Sequence, residues 1–529
     1  MKRIKSFLIR IEFDMGIFRY FYWHFKNYPD SITYLNKGES VEQFQILGID
    51  LNAIFHPICN DYFFDKRLSV REQKTNKGCF QAICYEIESI IEMIPPTEEL
   101  LLAIDGVAGL SKMNQQRQRR FRSAKEKTDY ERSIFDSNHI STGTQFLYDL
   151  STYITSYFIK KKYPFKVIMM DQSIVGEGEH KIIRYLEKKE KKRMCIFSPD
   201  ADLIMLSIGL AKKNVFILRP NVYNDINCSH FIVSIDKFRK QVVHMVDPTQ
   251  SFPEKEQQIV NDFVFLLFFL GNDFLPHSPS FEIKHKGIDK ILEVYKSVFE
   301  KGFPLVQVTP HFAIHTMGFQ LVLQALMDVE LEMIIKKKRS HRGFPNKLLD
   351  KYGDRLQVDF TQYRMEYYGQ HFPNVLIDTI CKEYVVGLLF VGTYYYQGMP
   401  DWLYCYPYYH GCFFHELYTY SMSINTEWIY VPFEKHEPVS PLVQLICVIP
   451  PESKACVPLC FHPYYEANSE ISDMYPSEFE IDLDGVQNEY EGLVLLPPIQ
   501  IDRIETAFNK VKSQLTISEQ HRNCQKYNL

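Results

Sequence analysis

The feature that most constrains this 529-residue chain is an alternation repeated along its first two-thirds: a short apolar run closing on an acid, then a stretch with helical periodicity. Short apolar runs without internal alternation mark strands buried on both faces, and such strands pair in parallel through helical crossovers. The spacing predicts strands over 44–50, 100–105, 167–171, 194–197 and 215–218, and helices over 78–94, 142–160, 179–190 and 257–269. The fold class is therefore α/β, a parallel sheet flanked by helices. From about Phe344 the pattern changes to Tyr-rich, Pro-punctuated segments, expected to form a second α+β region packed on the first. The basic stretch 336–342 reads as a solvated linker into that region, and 516–529 as a frayed polar tail.

Composition narrows the class further. With 60 Lys+Arg against 65 Asp+Glu the net charge is −5, which excludes a histone-like basic protein and an acidic solvating tail. The most apolar run, 263–271, lies between Asp262 and Asp273 and falls far short of the roughly 20 residues of a spanning helix. The amino terminus lacks a secretory pattern, so the expectation is a soluble intracellular protein, cytoplasmic rather than nuclear, with no membrane association. None of the 12 cysteines has the C-x-x-C spacing of a zinc site. The groups Cys456, Cys460, His462 and Cys405, His410, Cys412, His415 read as unliganded thiols and structural histidines. An aromatic content of 15% can stack bases or fill cores, and core filling is the default reading.

The acids fall where an open parallel sheet binds ligands, beyond the carboxyl ends of its strands. Asp50 and Asp105 close two predicted strands, Glu177 and Glu179 form one i, i+2 pair, Asp200 and Asp202 another, and Asp273 closes an apolar helix. Singly, each reads as a helix cap or a surface acid. If all seven converged, their mutual repulsion would demand bound cations, and oxygen-only ligation selects Mg²⁺ or Mn²⁺. Two such ions would activate water and stabilise the leaving oxygen of a phosphodiester.

Seven residues beyond Asp105 begins the run 112–127, with seven Lys/Arg against one Glu, a local charge of +6. On a helix Lys112, Gln116, Arg119 and Arg120 share one face, a set of donors able to enclose a terminal phosphate. His56, six residues past Asp50, reads on its own as a core or capping histidine.

These residues resemble a known family, the XRN (Xrn/Rat) 5′-to-3′ exoribonucleases. The resembling segments are MGIFRYFYWHFKNYP (15–29), IDLNAIFH, AIDGVAGLSKMNQQRQRRFRSA, GEGEHKI, SPDADLIML and DFVFLLFFLGNDFLPHSPSFEI, followed by YYYQGMPDW, VQLICVIPP and SDMYPSEF. The resemblance implies a 5′-nuclease (PIN-like) fold and a processive hydrolase that releases nucleoside 5′-monophosphates from single-stranded RNA bearing a 5′-monophosphate. It implies a monomer with two Mg²⁺ (or Mn²⁺) ions held by Asp50, Asp105, Glu177, Glu179, Asp200, Asp202 and Asp273. It further implies a 5′-phosphate pocket of Lys112, Gln116, Arg119 and Arg120, and base stacking by His56 and by Phe390, which stands where the family has Trp. The expected division is an extension over 1–14, a catalytic region over 15–335, a second conserved region over 344–512 and a tail over 513–529. Met15 aligns with the usual family start, and the chain stops without the long carboxyl extension of large members. Departures are Ala53 for a usual Gly, Gly109-Leu110-Ser111 for a Pro-x-Ala stretch, and Phe18 for a usual Pro. Two rivals stay open: a flap-type 5′ DNA nuclease on the same scaffold, and a non-catalytic protein that binds 5′ ends.

Overall fold

The computed structural model describes residues 19–36, 39, 41–64, 74–223 and 226–527. The expected extension 1–14 and the departure at Phe18 lie outside them. A central sheet of seven strands contains β1 (Ile32–Leu35), β2 (Phe44–Asp50), β3 (Pro96–Ala103), β4 (Lys166–Met170), β5 (Met194–Phe197), β6 (Val215–Pro220) and β7 (His230–Ser234), in the order β1-β7-β6-β5-β2-β3-β4. The run from β6 to β4 is parallel throughout. β7 pairs antiparallel with β6, and β1 antiparallel with β7. The predicted strands are those of the parallel run, while β1 and β7 were not foreseen. β1 exposes its two middle residues, so it carries no apolar run to find.

Strand β2 sits where the chain order reverses, with β3 and β4 to one side and β5 and β6 to the other. Crossovers leave the two sides in opposite directions there, and a crevice opens at the carboxyl edge. The helices that frame it are α1 (Asn52–Phe64), α2 (Asn76–Met93), α3 (Leu110–Glu126), α4 (Gln145–Lys160), α5 (Gly178–Glu187) and α6 (Asp202–Gly209). Local chemistry sets their starts. Thr144 accepts the Leu147 N–H and begins α4 three residues after the expected point, because residues 142–144 form the capping turn.

The later helices α7 (Glu256–Leu267), α8 (Thr316–Ser340) and α9 (Ile377–Gln397) extend one continuous core from the sheet into the Tyr-rich region. Phe269, just past α7, packs on Phe319 of α8 and on Phe414, and Phe268 packs edge-on against Tyr395 of α9. A second core fills the other sheet face under α1, α2 and α4. A third joins Met113 and Phe121 of α3 to α10 (Pro441–Val448), so α3 is held between the sheet and the carboxyl-terminal part of the chain.

Two expectations are corrected. Residues 336–340 are the last turns of α8 and not a linker, since Lys337 reaches Glu282 at 2.5 Å and Ser340 hydrogen-bonds His285 at 2.8 Å. The stretch from 516 is not frayed: it forms α11 (Ile517–Arg522), closed by a reciprocal capping box of Thr516 and Glu519. Beyond α11 the backbone of Lys526 pairs with Ser173 and Val175, in the loop that leads to Glu177. No helix among the described residues is long and apolar enough to cross a membrane.

Candidate active site

The carboxyl edge of the parallel run delivers the acids. β2 ends on Asp50, β3 runs through Ile104 to Asp105, the loop after β4 carries Glu177 and Glu179 into the start of α5, and β5 leads to Asp200 and Asp202 at the start of α6. Asn52 couples the first two strand ends: its Nδ2 donates to Asp105 Oδ2 at 2.9 Å and its Oδ1 accepts the Asp105 N–H at 3.1 Å. The Gly178 N–H donates to Asp105 Oδ1 at 2.7 Å. A Cβ on Gly178 would stand 3.2 Å from Asp50 Oδ1 and 3.4 Å from Asp105 Oδ1, so the two carboxylates close on one point and a larger residue there would crowd them.

A cavity of about 280 Å³ opens there. Asp50, Asp105, Glu177, Glu179 and Asp200 line it together with His56, Lys112, Gln116, Arg119 and Arg120. The predicted helical face of α3 is therefore the face that meets the acids. Ala53 lines the cavity as well. Asp273 joins through α3, accepting from Lys112 at 2.6 Å and from Gln115. Asp202 is buried beside Asp200, to whose Oδ1 its N–H donates at 2.9 Å. Among the described residues no group of three or more His, Cys, Asp or Glu is arranged to hold a metal ion as it stands.

Electrostatics tie the acids into one group. Burial, with Asp105 and Asp200 close by, pushes the Asp50 carboxyl well up, and burial with Asp200 and Glu177 does the same to Glu179. Asp200 is pushed up to about 6 by burial and by Asp273, and Asp105 rises through burial and Glu177. Burial also acts to raise Glu177, but Lys112 and His180 outweigh it and hold the carboxyl below its usual range. Two oxygens are of particular interest: Glu179 Oε2 and Gln116 Oε1 are buried without a hydrogen-bond partner among the described residues. His56 is neutral over the ordinary pH range, because burial and then Arg120 and Arg119 bring it down to about 3.

Phe390 departs from its expected place. Its ring is 1% exposed and does not line the cavity; it stacks on Tyr404 with centroids 4.4 Å apart, because this face of α9 turns into the main core. The basic run also divides. Arg117 points away from the cavity into the third core, donating to Pro497 O at 2.5 Å and to Met474 O. Sequence reasoning passed over several residues that hold the site. Tyr394 Oη donates to Glu177 Oε1 at 2.7 Å and stacks on His180, Arg219 donates to the Asp200 carbonyl at 2.6 Å, and the Lys181 ammonium meets Ile104 O at 2.6 Å. Tyr490 lines the cavity from the carboxyl-terminal side. Asn52, Lys181 and Tyr394 lie inside the quoted motifs, whereas nothing around Tyr490 signals it.

A PIN-like α/β sheet with acids at its switch point and a cationic helix face across the same cavity defines a nuclease-type fold. The chain belongs to the XRN family of 5′-3′ exoribonucleases: the family model described as XRN 5′-3′ exonuclease N-terminus matches residues 15–221, and that described as Xrn1 helical domain matches 254–348 and 335–529. It is 25% identical to a human 5′-3′ exoribonuclease 1, 26% to a Drosophila melanogaster 5′-3′ exoribonuclease 2 homolog and 25% to an Arabidopsis thaliana 5′-3′ exoribonuclease 2. Each alignment covers 96% of this chain but only 35%, 72% and 68% of the respective relatives.

Proposed function

We propose that the chain is a divalent-metal-dependent 5′-to-3′ exoribonuclease that removes nucleoside 5′-monophosphates, one after another, from single-stranded RNA with a 5′-monophosphate. The observation that carries this reading is that the buried acids and the polar face of α3 line one cavity. Gln116, Arg119 and Arg120 are set to bind a terminal phosphate, with forked guanidinium donors matched to its oxygens. Asn138 and Ser141 hold the Arg120 guanidinium in place. His56, at the same cavity, offers a neutral ring on which the first base stacks. In this reading the pocket of Gln116, Arg119 and Arg120 takes a single terminal phosphate and leaves no room for a cap.

The donor set suits hard cations. Mutual repulsion among Asp50, Asp105 and Asp200 and the unpartnered Glu179 Oε2 are relieved by a divalent ion, and the residues that would hold two of them are the seven acids. When bound, Mg²⁺ or Mn²⁺ lowers the pKa of water and neutralises charge on the leaving oxygen. The protein residues orient the acids through Asn52, Tyr394 and Arg219, and hold the scissile bond by anchoring the 5′-phosphate one nucleotide away.

The test compares degradation of 5′-monophosphate, 5′-hydroxyl and capped RNA, each with Mg²⁺ and with chelator, beside single-stranded DNA and a DNA flap. Rapid loss of the 5′-monophosphate RNA alone, abolished by chelator and by Asp105→Asn, is expected. Equal digestion of all three RNAs, or preference for the flap, overturns the proposal.

A further inference from the structure

Lys112 belongs by its position on α3 with Gln116, Arg119 and Arg120, yet its ammonium stands among the acids. It lies 2.6 Å from Glu177 Oε2 and 2.6 Å from Asp273 Oδ2, and none of the three side chains is more than 9% exposed. Gln115, three residues along α3, donates to the other Asp273 oxygen. One turn beyond Lys112, Gln116 Oε1 is buried without a partner among the described residues, on the same helical face and within the reach of a lysine side chain. Lys112 thus has two environments to choose between. One is an anionic group that it now compensates; the other is the phosphate-facing side of α3, where an acceptor stands waiting.

Clustered buried carboxylates either take up protons or hold a cation among them, and Glu177, held below its usual range, takes the cation. Lys181, the other buried lysine nearby, spends its ammonium on the Ile104 and Asp171 carbonyls. Lys112 makes the direct ion pairs. A divalent cation entering the acids brings twice the charge and removes the reason for Lys112 to remain there.

We propose that Lys112 is an exchangeable counter-ion: its ammonium compensates Glu177 and Asp273 until a divalent cation binds the acids, and then swings along α3 to complete the phosphate site. The inference rests on the reading of the acids as a cation site. Its consequence is that cation and phosphate binding reinforce each other through a side chain of the protein, beyond any contact between the two ligands. An RNA 5′ end is then held firmly only when the cleavage chemistry is in place.

Two measurements on the purified full chain test it. In the wild type, Lys112 acylation by acetic anhydride is followed by mass spectrometry. Labelling should be low in chelator, rise several-fold with Mg²⁺, and fall again when inorganic phosphate is added with Mg²⁺. By calorimetry, Lys112→Met should bind Mg²⁺ about tenfold more tightly than wild type, since it no longer has a lysine to displace. The labelling experiment needs no variant, so poor folding of Lys112→Met does not remove the test. Mg²⁺ binding with unchanged Lys112 labelling overturns the counter-ion role while leaving the cation site standing. No Mg²⁺ binding to the wild type at millimolar concentration overturns the cation reading, and the counter-ion role falls with it.

Discussion

Phe390 is where family resemblance and structure make opposite predictions, and truncating it separates them. The ring is 1% exposed and packs against Tyr404 at 4.4 Å, Phe433 at 5.7 Å, Phe274 at 6.2 Å and Tyr394 at 6.4 Å. Phe→Ala in such a site costs about 3–5 kcal/mol, from lost transfer energy and the cavity left behind. Because one core runs from the sheet through α9, the loss is felt by the cooperative unit as a whole. With an unfolding entropy of about 2.1 cal/mol/K per residue, a chain of this length should melt roughly 3–5 °C lower. Tyr394 donates to Glu177, so any loss of turnover should appear in kcat as that carboxylate loosens. RNA affinity should stay within about twofold. His56→Ala is the contrasting perturbation: it removes a ring at the cavity wall, and at about 1–3 kcal/mol per stacked base the Kd for RNA should rise roughly 5- to 150-fold with little change in melting. Melting by circular dichroism and binding of a non-hydrolysable 5′-phosphorylated RNA by fluorescence anisotropy with Mg²⁺ read the two quantities independently. A Phe390→Ala protein that melts like wild type and binds RNA tenfold more weakly would refute the burial argument.

Three further perturbations probe the rest of the site and its support. Arg119→Ala should reduce the preference for 5′-monophosphate over 5′-hydroxyl RNA by at least about tenfold, since a charge-assisted hydrogen bond of 1.5–3 kcal/mol is lost; an unchanged ratio of kcat/KM values would remove Arg119 from the pocket. Arg117→Met leaves the buried Met474 O and the part-buried Pro497 O without donors and should cost about 3 kcal/mol in urea unfolding; a loss below about 1 kcal/mol would mean the guanidinium does not tie α3 to the carboxyl-terminal core. Glu330 is buried in α8, accepting from Ser280 Oγ at 2.8 Å and the Phe414 N–H at 2.7 Å, and burial pushes its carboxyl up to about 8 from its ordinary 4.5. The folded chain therefore holds a proton that the unfolded chain releases earlier, so the stability from this site is whole below the unfolded value and drains away as pH rises towards 8. Glu330→Gln should flatten the fall in urea midpoint between pH 5 and pH 8, a difference on the order of a few kcal/mol; parallel wild-type and variant profiles would show that the carboxyl is already ionised.

What could be read from the sequence followed the physics of burial. The two strands 44–50 and 194–197 came out with the bounds later observed, because a strand covered on both faces reads as a near-continuous apolar run, which Asp50 closes in the first and Ser198-Pro199 in the second. The same rule exposed the acids, which stand where apolar runs end. β1 obeyed no such rule, since an antiparallel edge needs only one covered face, whereas β7 is buried at four of its five residues inside the sheet and its short run was simply passed over. The helical period of 112–127 placed four side chains on one face, but charge alone could not tell Arg117 from its neighbours. A guanidinium may be buried if carbonyls meet it, and those carbonyls lie about 360–380 residues further along the chain. The polar composition of the tail hid α11 and the Lys526 pairing for a related reason, because backbone hydrogen bonds to the 173–175 loop are indifferent to side-chain identity.

Lys112 shows how far such reading carries and where it stops. Read from sequence, the acids made one site and the cations another, because spacing assigns residues to faces without weighing one face against its neighbour. Once both faces line a cavity of about 280 Å³, the separation cannot hold: carboxylates that raise one another's pKa draw the nearest ammonium out of its own set. Glu177, held below its usual range while Glu179 two residues away is pushed well above, records which carboxylate that ammonium favours. In the proposed counter-ion role, the protein's own lysine sets the threshold that a divalent cation must exceed to enter. That threshold, more than the number of acids, decides whether phosphate and cation arrive together.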